Sequence, residues 1–358
     1  MASKAFDDAQ IGTIHITADE ATFADMVSHP LEEDRKAIKA DFRFINSDTN
    51  YSAKEVKLKI SRPSSRQFKK LSLRVKFEKG ETFFERPIIK LRSQVYDPTF
   101  IRERIYFDAL NSIGVRTTQG AYVRVYVNGK PFGFYMMVED IEPPFLASTM
   151  HNGNPPSQLG SLYQMGSHIT GLEATLLYQG PKTTDYHPQI YEMKNLGDNT
   201  EAEPMAQLIA FLKDLSEYDP TKTGGIKFWN ARLDLESYLR SMVMEYLAGA
   251  WDAYWWKGNN YFLYYNPTLK VWQFIPTDFD STFNDGNRAD VYTTYKQFAA
   301  SRLSRKGRDH PLITKLIYKN KEINARFEKI LLEFTQKFFN LQVLNTRIDS
   351  YVQMIKEE

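Results

Sequence analysis

Apolar and polar residues alternate with a period of two through much of the first 140 or so residues, the signature of strands with one buried face. Val56, Leu58 and Ile60 alternate with charged residues, and Leu71, Leu73, Val75 and Phe77 do the same beyond Ser61–Lys70, which predicts a long hairpin. Pro87–Leu91 reads as a third strand. Asp97-Pro98 then offers an N-cap and first-turn proline for a helix running to about Gly114. On that helix Phe100, Glu103, Phe107 and Leu110 fall within one sector roughly 80° wide, so Glu103 faces inward with the apolar stripe. Tyr122–Val127 and Phe132–Val138 flank Asn128-Gly129, a strong hairpin signal in which Pro131 is placed to shift the turn by a residue. Residues Glu139 to Pro144 end the strand-rich part as a hinge.

The periodicity changes beyond that hinge. Residues 150 to 205 are rich in Gly, Pro, Asn and Ser and carry only short apolar pieces such as Leu162–Met165, which suggests loops over a surface. A helix opens at Asp234 with Leu235, Tyr238, Leu239, Met242 and Tyr246 on one face, and ends near Gly249. Tyr261–Tyr265 and Val271–Ile275, aromatic and β-branched and broken by Asn266-Pro267, predict two paired strands. Pro311–Glu358 is strongly helical, with Leu312, Leu316, Ile323, Phe327, Ile330, Leu331 and Phe334 as core candidates, and no internal repeat is evident.

Composition narrows the chemistry more than the class. At 358 residues and 42% apolar content the chain is long enough for two domains or one large bilobal one. A formal charge of +2, from 46 basic and 44 acidic residues, gives no global case for nucleic acid or a membrane surface. With no cysteine, disulfides, thiolate metal sites and a thiol nucleophile are excluded. No leader-like start is present and no apolar run approaches about 18 residues, which predicts a soluble chain. One sequon, Asn50-Tyr51-Ser52, is compatible with secretion but arises easily by chance. Nothing in the composition sets an oligomeric state.

The candidate chemistry gathers at the ends of the aromatic hairpin. Asp252, Asn259 and Asn260 lie before its first strand, and Asp278 and Asp280 lie after its second, so pairing of the strands brings them together. Oxygen donors without histidine or cysteine suit Mg²⁺ or Mn²⁺, which usually arrives with a phosphate-bearing substrate. Aspartates at strand ends are also common turn and cap residues, and it is the combination of three acids and two amides that favours a site. Trp251, Trp255, Trp256 and Trp272 read as packing rather than as a stacking platform. His151, His168, His187 and His310 have no zinc-like spacing and read as structural. The inward Glu103 needs a cation, and Lys90 from the adjacent strand is the economical partner, with a surface arginine as the alternative. The connection SRPSSRQFKK carries four basic side chains and reads equally as an anion-facing loop or as a solvated one. A metal-free carboxylate pair amid aromatics would describe a glycosidase instead, but that chemistry has no place for the asparagines or a Lys90–Glu103 pair.

Three runs in order, IKLRS…DPTFIRERIYFDAL, YVRVYVNGKPFGFYMMVEDI and AGAWDAYWWKGNNYFLYYNP…FIPTDFDSTF, resemble the spore-coat CotH kinase family, which also occurs in fungi as cell-surface proteins. The resemblance runs from about Val56 to the C-terminal helices and covers the first fifty or so residues weakly. It implies an α+β, atypical bilobal protein-kinase-like fold. Residues 1–141 would form a strand-rich N-lobe, and residues 142–358 a mainly helical C-lobe with a catalytic β-hairpin. It further implies ATP and Mg²⁺ or Mn²⁺ as cofactors, and transfer of the γ-phosphoryl group to serine or threonine of a protein substrate. A spore coat or extracellular cell-surface location follows from the same resemblance.

The resemblance also implies roles. Lys90 would hold the α- and β-phosphates and pair with Glu103, with Ser61, Ser64, Ser65, Arg66, Arg74, Glu139 and Ile141 as the other nucleotide-facing residues. Asp252 would take or orient the acceptor hydroxyl proton, Asn260 or its competitor Asn259 would bind metal, Asp278 would bridge metal and phosphates, and Asp280 would be a second metal ligand. The chain departs from the family pattern in having Arg62-Pro63 where glycine is expected and Ala250 in place of an asparagine, and Trp256-Lys257 lengthens the segment between Asp252 and the asparagines relative to a standard kinase loop. The alternative function is a kinase-like fold that serves adhesion or invasion with little or no catalysis.

Overall fold

A computed structural model of the chain describes every residue except 1–3, 8, 33–35, 62–64, 168, 170, 284–292 and 298–308. The described residues form two compact units, Met1–Phe107 with Thr118–Ser148 and Arg347–Glu358, and Asp108–Thr117 with Thr149–Thr346. The α+β class is as expected. The strand-rich part, however, is a closed barrel.

The first unit contains β1 (Gly12–Ala18), α1 (Glu20–Ser28), β2 (Ile38–Ile45), β3 (Asn50–Ile60), β4 (Leu73–Lys76), β5 (Ile88–Arg92), the start of α2 (Arg102–Ser112), β6 (Gly120–Val127) and β7 (Lys130–Glu139). The strands close in the order β1-β2-β3-β4-β5-β7-β6, antiparallel throughout except for the parallel β1–β6 seam. Closure leaves no strand edge open for pairing with another chain. Alternate residues fill the interior: Ile14 and Ile16, Phe42 and Phe44, Val56 and Leu58, Leu73 and Val75, Ile89 and Leu91, Tyr135 and Met137. Phe42, Phe77 and Phe83 pack edge-to-face and stacked within it, an arrangement aromatic rings prefer.

The predicted β3–β4 and β6–β7 hairpins both form, and the Asn128-Gly129 turn uses two left-handed residues (φ 50° and 75°), as a tight two-residue hairpin turn requires. Pro131 does not move the turn. A register shift between Val125 and Tyr126 absorbs it instead, with Tyr126 opposite Pro131. Asn128 also seals the parallel seam, since its Oδ1 accepts the Ala18 N–H at 2.9 Å while its own N–H donates to the Ile16 carbonyl at 2.9 Å.

The helix expected after Asp97 begins only at Arg102. Phe100 takes a left-handed conformation (φ 61°), so residues 98–101 cannot continue a helix, and Phe100 leaves the predicted stripe. Asp97 still caps, through a turn: its Oδ1 accepts the Thr99 N–H at 3.1 Å and its Oδ2 the Arg102 N–H at 2.9 Å. The tail of the C-terminal helix belongs to this unit, where the buried Tyr351 hydroxyl accepts from Arg104 Nε at 2.9 Å.

The second unit is built on a four-stranded antiparallel sheet in the order β11-β10-β8-β9, with β8 (Leu162–Met165), β9 (Tyr191–Asn195), β10 (Tyr261–Asn266) and β11 (Val271–Pro276). Residues 150–205 are mostly loop and turn, as expected, but they are not loops alone. They supply half of this sheet, and β8 is too short and too completely buried to show alternation. Before and after these strands come α3 (Pro143–Phe145, in the first unit), α4 (Ala206–Glu217), α5 (Gly225–Asn230), α6 (Leu235–Leu247), α7 (Tyr254–Lys257), α8 (Lys321–Lys337) and α9 (Leu341–Ile355). The expected cap of α6 is in place, with Asp234 accepting the Ser237 N–H at 3.3 Å. Of the C-terminal core candidates all are buried except Leu331, which is half-buried on α8.

Because Asn128 holds both the β6–β7 turn and the β1–β6 seam, Asn128→Ala is expected to lower stability by about 1–2 kcal/mol in urea unfolding. An unchanged midpoint would show that the seam does not need it.

Candidate active site

The outer face of β4, β5 and β7 carries two ionic groups whose pairing is set by strand geometry. Ile89 and Leu91 fill the barrel, so Lys90 and Arg92 both point outward, about 7 Å apart along the strand. The loop into α2 leaves from the Arg92 end. Arg92 Nη1 consequently meets Glu103 Oε1 at 2.6 Å, and the Gln94 side-chain amide donates to Oε2 at 2.5 Å. The pair is deeply buried, with side-chain exposures of 7% and 1%. The expected Lys90–Glu103 pair is thus corrected to Arg92–Glu103.

Lys90 has another partner. Its Nζ lies 2.6 Å from Asp140 Oδ1, and Arg74, its register neighbour on β4, donates to Asp140 Oδ2 at 3.0 Å and to Glu142 Oε1 at 3.1 Å. Burial pushes the Asp140 carboxyl up, but the adjacent Lys90 and Arg74 charges more than reverse this and hold it below the usual carboxylate range. Glu139 has the opposite parity. It pairs in register with the interior Ile89, and its carboxylate accepts from Arg86 at 2.7 Å and from the Gln119 N–H at 2.7 Å, so its side chain braces the barrel wall. Burial pushes its carboxyl up, against the pull of Arg86.

Of the other residues assigned to the nucleotide, Ser61 donates its N–H to the Ser72 carbonyl at 2.7 Å, while Ser65 and Ile141 are buried. Arg66 lines a small hollow with His29, Glu32, Lys36 and Lys59. Ser64, with Arg62 and Pro63, lies outside the described residues, as does His168.

In the second unit the hairpin ends do meet. Tyr261 pairs with Pro276, and the Thr277 N–H donates to the Asn260 carbonyl at 3.0 Å. Asp252 is the hub. Its Oδ1 lies 2.6 Å from Lys257 Nζ, and its Oδ2 accepts from the Asn260 side-chain amide at 3.0 Å. Burial pushes the Asp252 carboxyl up, Lys257 pulls it back, and neighbouring Asp278 adds to the rise. Asn260 and Asp278 both adopt left-handed backbone (φ 58° and 63°), conformations that Asn and Asp tolerate best and that concentrate at functional sites. The Asn259 Oδ1 accepts the Ser167 N–H at 2.8 Å while its side chain also hydrogen-bonds Asp252, and Asp280 is buried beside Ser281. Buried His310 stacks on Tyr254 and faces Glu173 at 3.3 Å.

Among the described residues no three His, Cys, Asp or Glu side chains gather into a ready-made metal cage. The fit is of a different kind. Asp252 and Asp278 lie near enough for one charge to resist the other, and the donors are all oxygens. Mg²⁺ and Mn²⁺ suit such an incomplete set when phosphate oxygens complete the shell.

Sequence reasoning missed Arg92, Asp140 and Lys257. Strand parity from the apolar positions would have placed Arg92 beside Lys90, and Val138, the register partner of Lys90, points to Asp140 two positions on. Lys257 had no comparable signal, because α7 is a single short turn.

The CotH kinase protein family model matches residues 61–358. Among curated relatives, Invasin CotH2 of Rhizopus delemar is 28% identical over 96% of this chain, and Invasin CotH3 of the same organism 30% identical over 96%. Inner spore coat protein H of Bacillus subtilis is 20% identical over 81% of this chain and 74% of its own length. The chain spans about half the length of the two invasins, 56% and 55%. No helix of the described residues is long and apolar enough to cross a membrane.

Glu103→Gln leaves a buried arginine without its charge partner and is expected to lower stability by about 3–5 kcal/mol in urea unfolding. Lys90→Met removes a one-third-exposed cation from an acid that keeps Arg74, and is expected to cost less than about 1 kcal/mol. Equal losses would contradict the assignment of partners.

Proposed function

The chain belongs to the CotH kinase protein family, and from that premise we propose that it is an atypical protein kinase that transfers the γ-phosphoryl group of ATP to serine or threonine of a protein substrate. The observation that carries this reading is the convergence of Asp252, Lys257, Asn260 and Asp278 at the ends of one hairpin. In kinase-like terms the barrel unit carries the nucleotide-phosphate residues and the second unit the acceptor and metal residues.

Phosphoryl transfer needs little covalent chemistry from the protein, and positioning with charge neutralisation supplies most of the acceleration. Asp252 takes the proton of the acceptor hydroxyl. Its oxygens are held by Lys257, Asn260 and Asn259, which restrains rotation of the carboxylate while a lone pair accepts that proton. Asp278, with Asn260 or Asp280, would hold Mg²⁺ or Mn²⁺, which when bound supplies positive charge to the β- and γ-phosphates. Lys90 and Arg74 neutralise phosphate, with Asp140 fixing both cations. The buried Arg92–Glu103 pair stiffens the start of α2 behind them.

A second reading rests on the relatives named invasins, which match nearly the whole of this chain. There the same fold serves attachment at a cell surface or spore coat, with catalysis secondary. An adhesion function would survive loss of the acceptor-proton carboxylate.

Purified protein with Mn²⁺ or Mg²⁺ is expected to transfer labelled γ-phosphate from ATP to itself or to a basic or acidic protein acceptor. Asp278→Ala should abolish transfer, and Asp252→Asn should slow it by about 10²–10⁴-fold, the usual contribution of a positioned proton acceptor. Labelling by Asp278→Ala equal to that of the unmodified protein would rule the kinase reading out, and unchanged partner binding by Asp252→Asn would favour adhesion.

A further inference from the structure

Glu245 is the most deeply buried carboxyl of the second unit that the proposed chemistry leaves unused. It sits near the end of α6, 3% exposed, seven positions before Asp252. Burial pushes its carboxyl up to about 8, which the N–H groups of Trp255 and Tyr254 only partly offset. A glutamate in such surroundings costs stability unless its position requires it.

Its contacts lie on both sides of Asp252. The Glu245 backbone carbonyl accepts the Ala250 N–H at 2.9 Å, two residues before Asp252. Its side-chain Oε2 accepts the Trp255 N–H at 2.8 Å, three residues after Asp252, and the carboxyl also accepts from Tyr254. The connecting turns are closed by Ala253 N–H to the Ala250 carbonyl at 3.3 Å and Lys257 N–H to the Ala253 carbonyl at 2.9 Å. One residue therefore holds both ends of the six-residue stretch Ala250–Trp255, and α7 then aims Lys257 back at Asp252. Asp252 itself is held by Lys257 and Asn260.

We propose that Glu245 is a positioning residue for the candidate proton acceptor, acting as a neutral clamp that fixes the Asp252 turn through the Trp255 and Tyr254 amides. This rests on the kinase reading for its consequence, though the clamp itself does not. Burial is what holds the acid neutral: Tyr238 on α6, Tyr254 on α7 and Tyr261 on β10 lie around it, themselves pushed well above the ordinary tyrosine range by burial, and the Tyr254 and Tyr261 hydroxyls donate to the Thr175 and Ala174 carbonyls rather than to the acid. Phe274 of β11 packs on Tyr238 and Phe327 of α8 on Trp255, while His310, which faces Glu173, stacks on Tyr254. The sign follows from the raised value. The clamp's contribution to stability is fully present below the unfolded carboxyl's pKa and is lost as pH rises toward about 8.

Glu245→Gln keeps a carbonyl acceptor and resembles the neutral acid, whereas Glu245→Met keeps the volume and removes the acceptor. In ATP-dependent transfer the Gln variant should retain kcat within about threefold. The Met variant should lose about 100-fold in kcat with little change in the ATP KM, as expected when a reacting group moves by about 1 Å. Amide exchange gives a readout independent of activity: the Trp255 N–H should stay protected in the Gln variant and open in the Met variant. The Trp255 amide resonance should titrate near pH 8 in the unmodified protein but not in Glu245→Gln, and the Tm advantage of the Gln variant should grow from pH 5 to pH 9. A protected Trp255 amide in Glu245→Met, or a Gln variant as impaired as Met, would overturn the clamp. If the unmodified protein transfers no phosphate, the kinase reading falls, and the exchange pattern still decides the clamp.

Discussion

Pleat parity on β5 and β7 is the constraint from which the first unit's chemistry follows. A closed barrel takes every second side chain inward, and the apolar set Ile89, Leu91, Tyr135 and Met137 fixes which ones. Lys90 and Arg92 are then forced onto the outer face, and Glu139 onto the inner one. A one-residue slip would send two cations into a core of phenylalanines and tyrosines, so the register is strongly specified. The acids sort accordingly. Glu139 is matched by Arg86 at the barrel wall, Glu103 by Arg92 under α2, and Asp140 by Lys90 and Arg74 where solvent still reaches.

Much of this was legible in the chain and some was not, for physical reasons. Alternation revealed β3, β4, β5 and the β6–β7 hairpin, because each has one buried and one outward face. The same pattern exists in β1 and β2, and its place in the first fifty or so residues lay outside the recognised motifs; without those two strands the barrel cannot close. β8 was hidden by burial on both faces. The start of α2 was misplaced because an Asp-Pro pair signals a turn as well as a cap, and only the left-handed Phe100 decides between them. The Lys90–Glu103 expectation failed on distance along the strand alone: both cations share a face, and the nearer one took the acid.

In the second unit the site was more readable because it depends on a hairpin whose strands are aromatic and whose ends are polar. Register brings Tyr261 opposite Pro276, and one more hydrogen bond joins Asn260 to Thr277. What the sequence withheld was the orientation of α7. Gly258 ends that turn in left-handed backbone (φ 60°), which stops the helix immediately after Lys257 and leaves its side chain directed at Asp252. The extra length at Trp256-Lys257, set against a standard kinase loop, carries the lysine that pairs with Asp252.

Three acids in this chain meet three electrostatic settings, and the differences bear on what each can do. Asp140 has two cations within hydrogen-bonding distance and is held ionised, so it can fix Lys90 and Arg74 at any physiological pH but cannot exchange protons there. Glu245 accepts the Trp255 and Tyr254 N–H groups and is pushed up to about 8 by burial, so through most of that range it accepts hydrogen bonds without burying a charge. At Asp252 burial raises the carboxyl, Lys257 opposes the rise, and Asp278 adds to it. Under the proposed kinase reading, Asp252 is the one of the three that receives a proton. Lys257 is the side chain that sets the balance, and its pairing with Asp252 follows from the length of a four-residue turn.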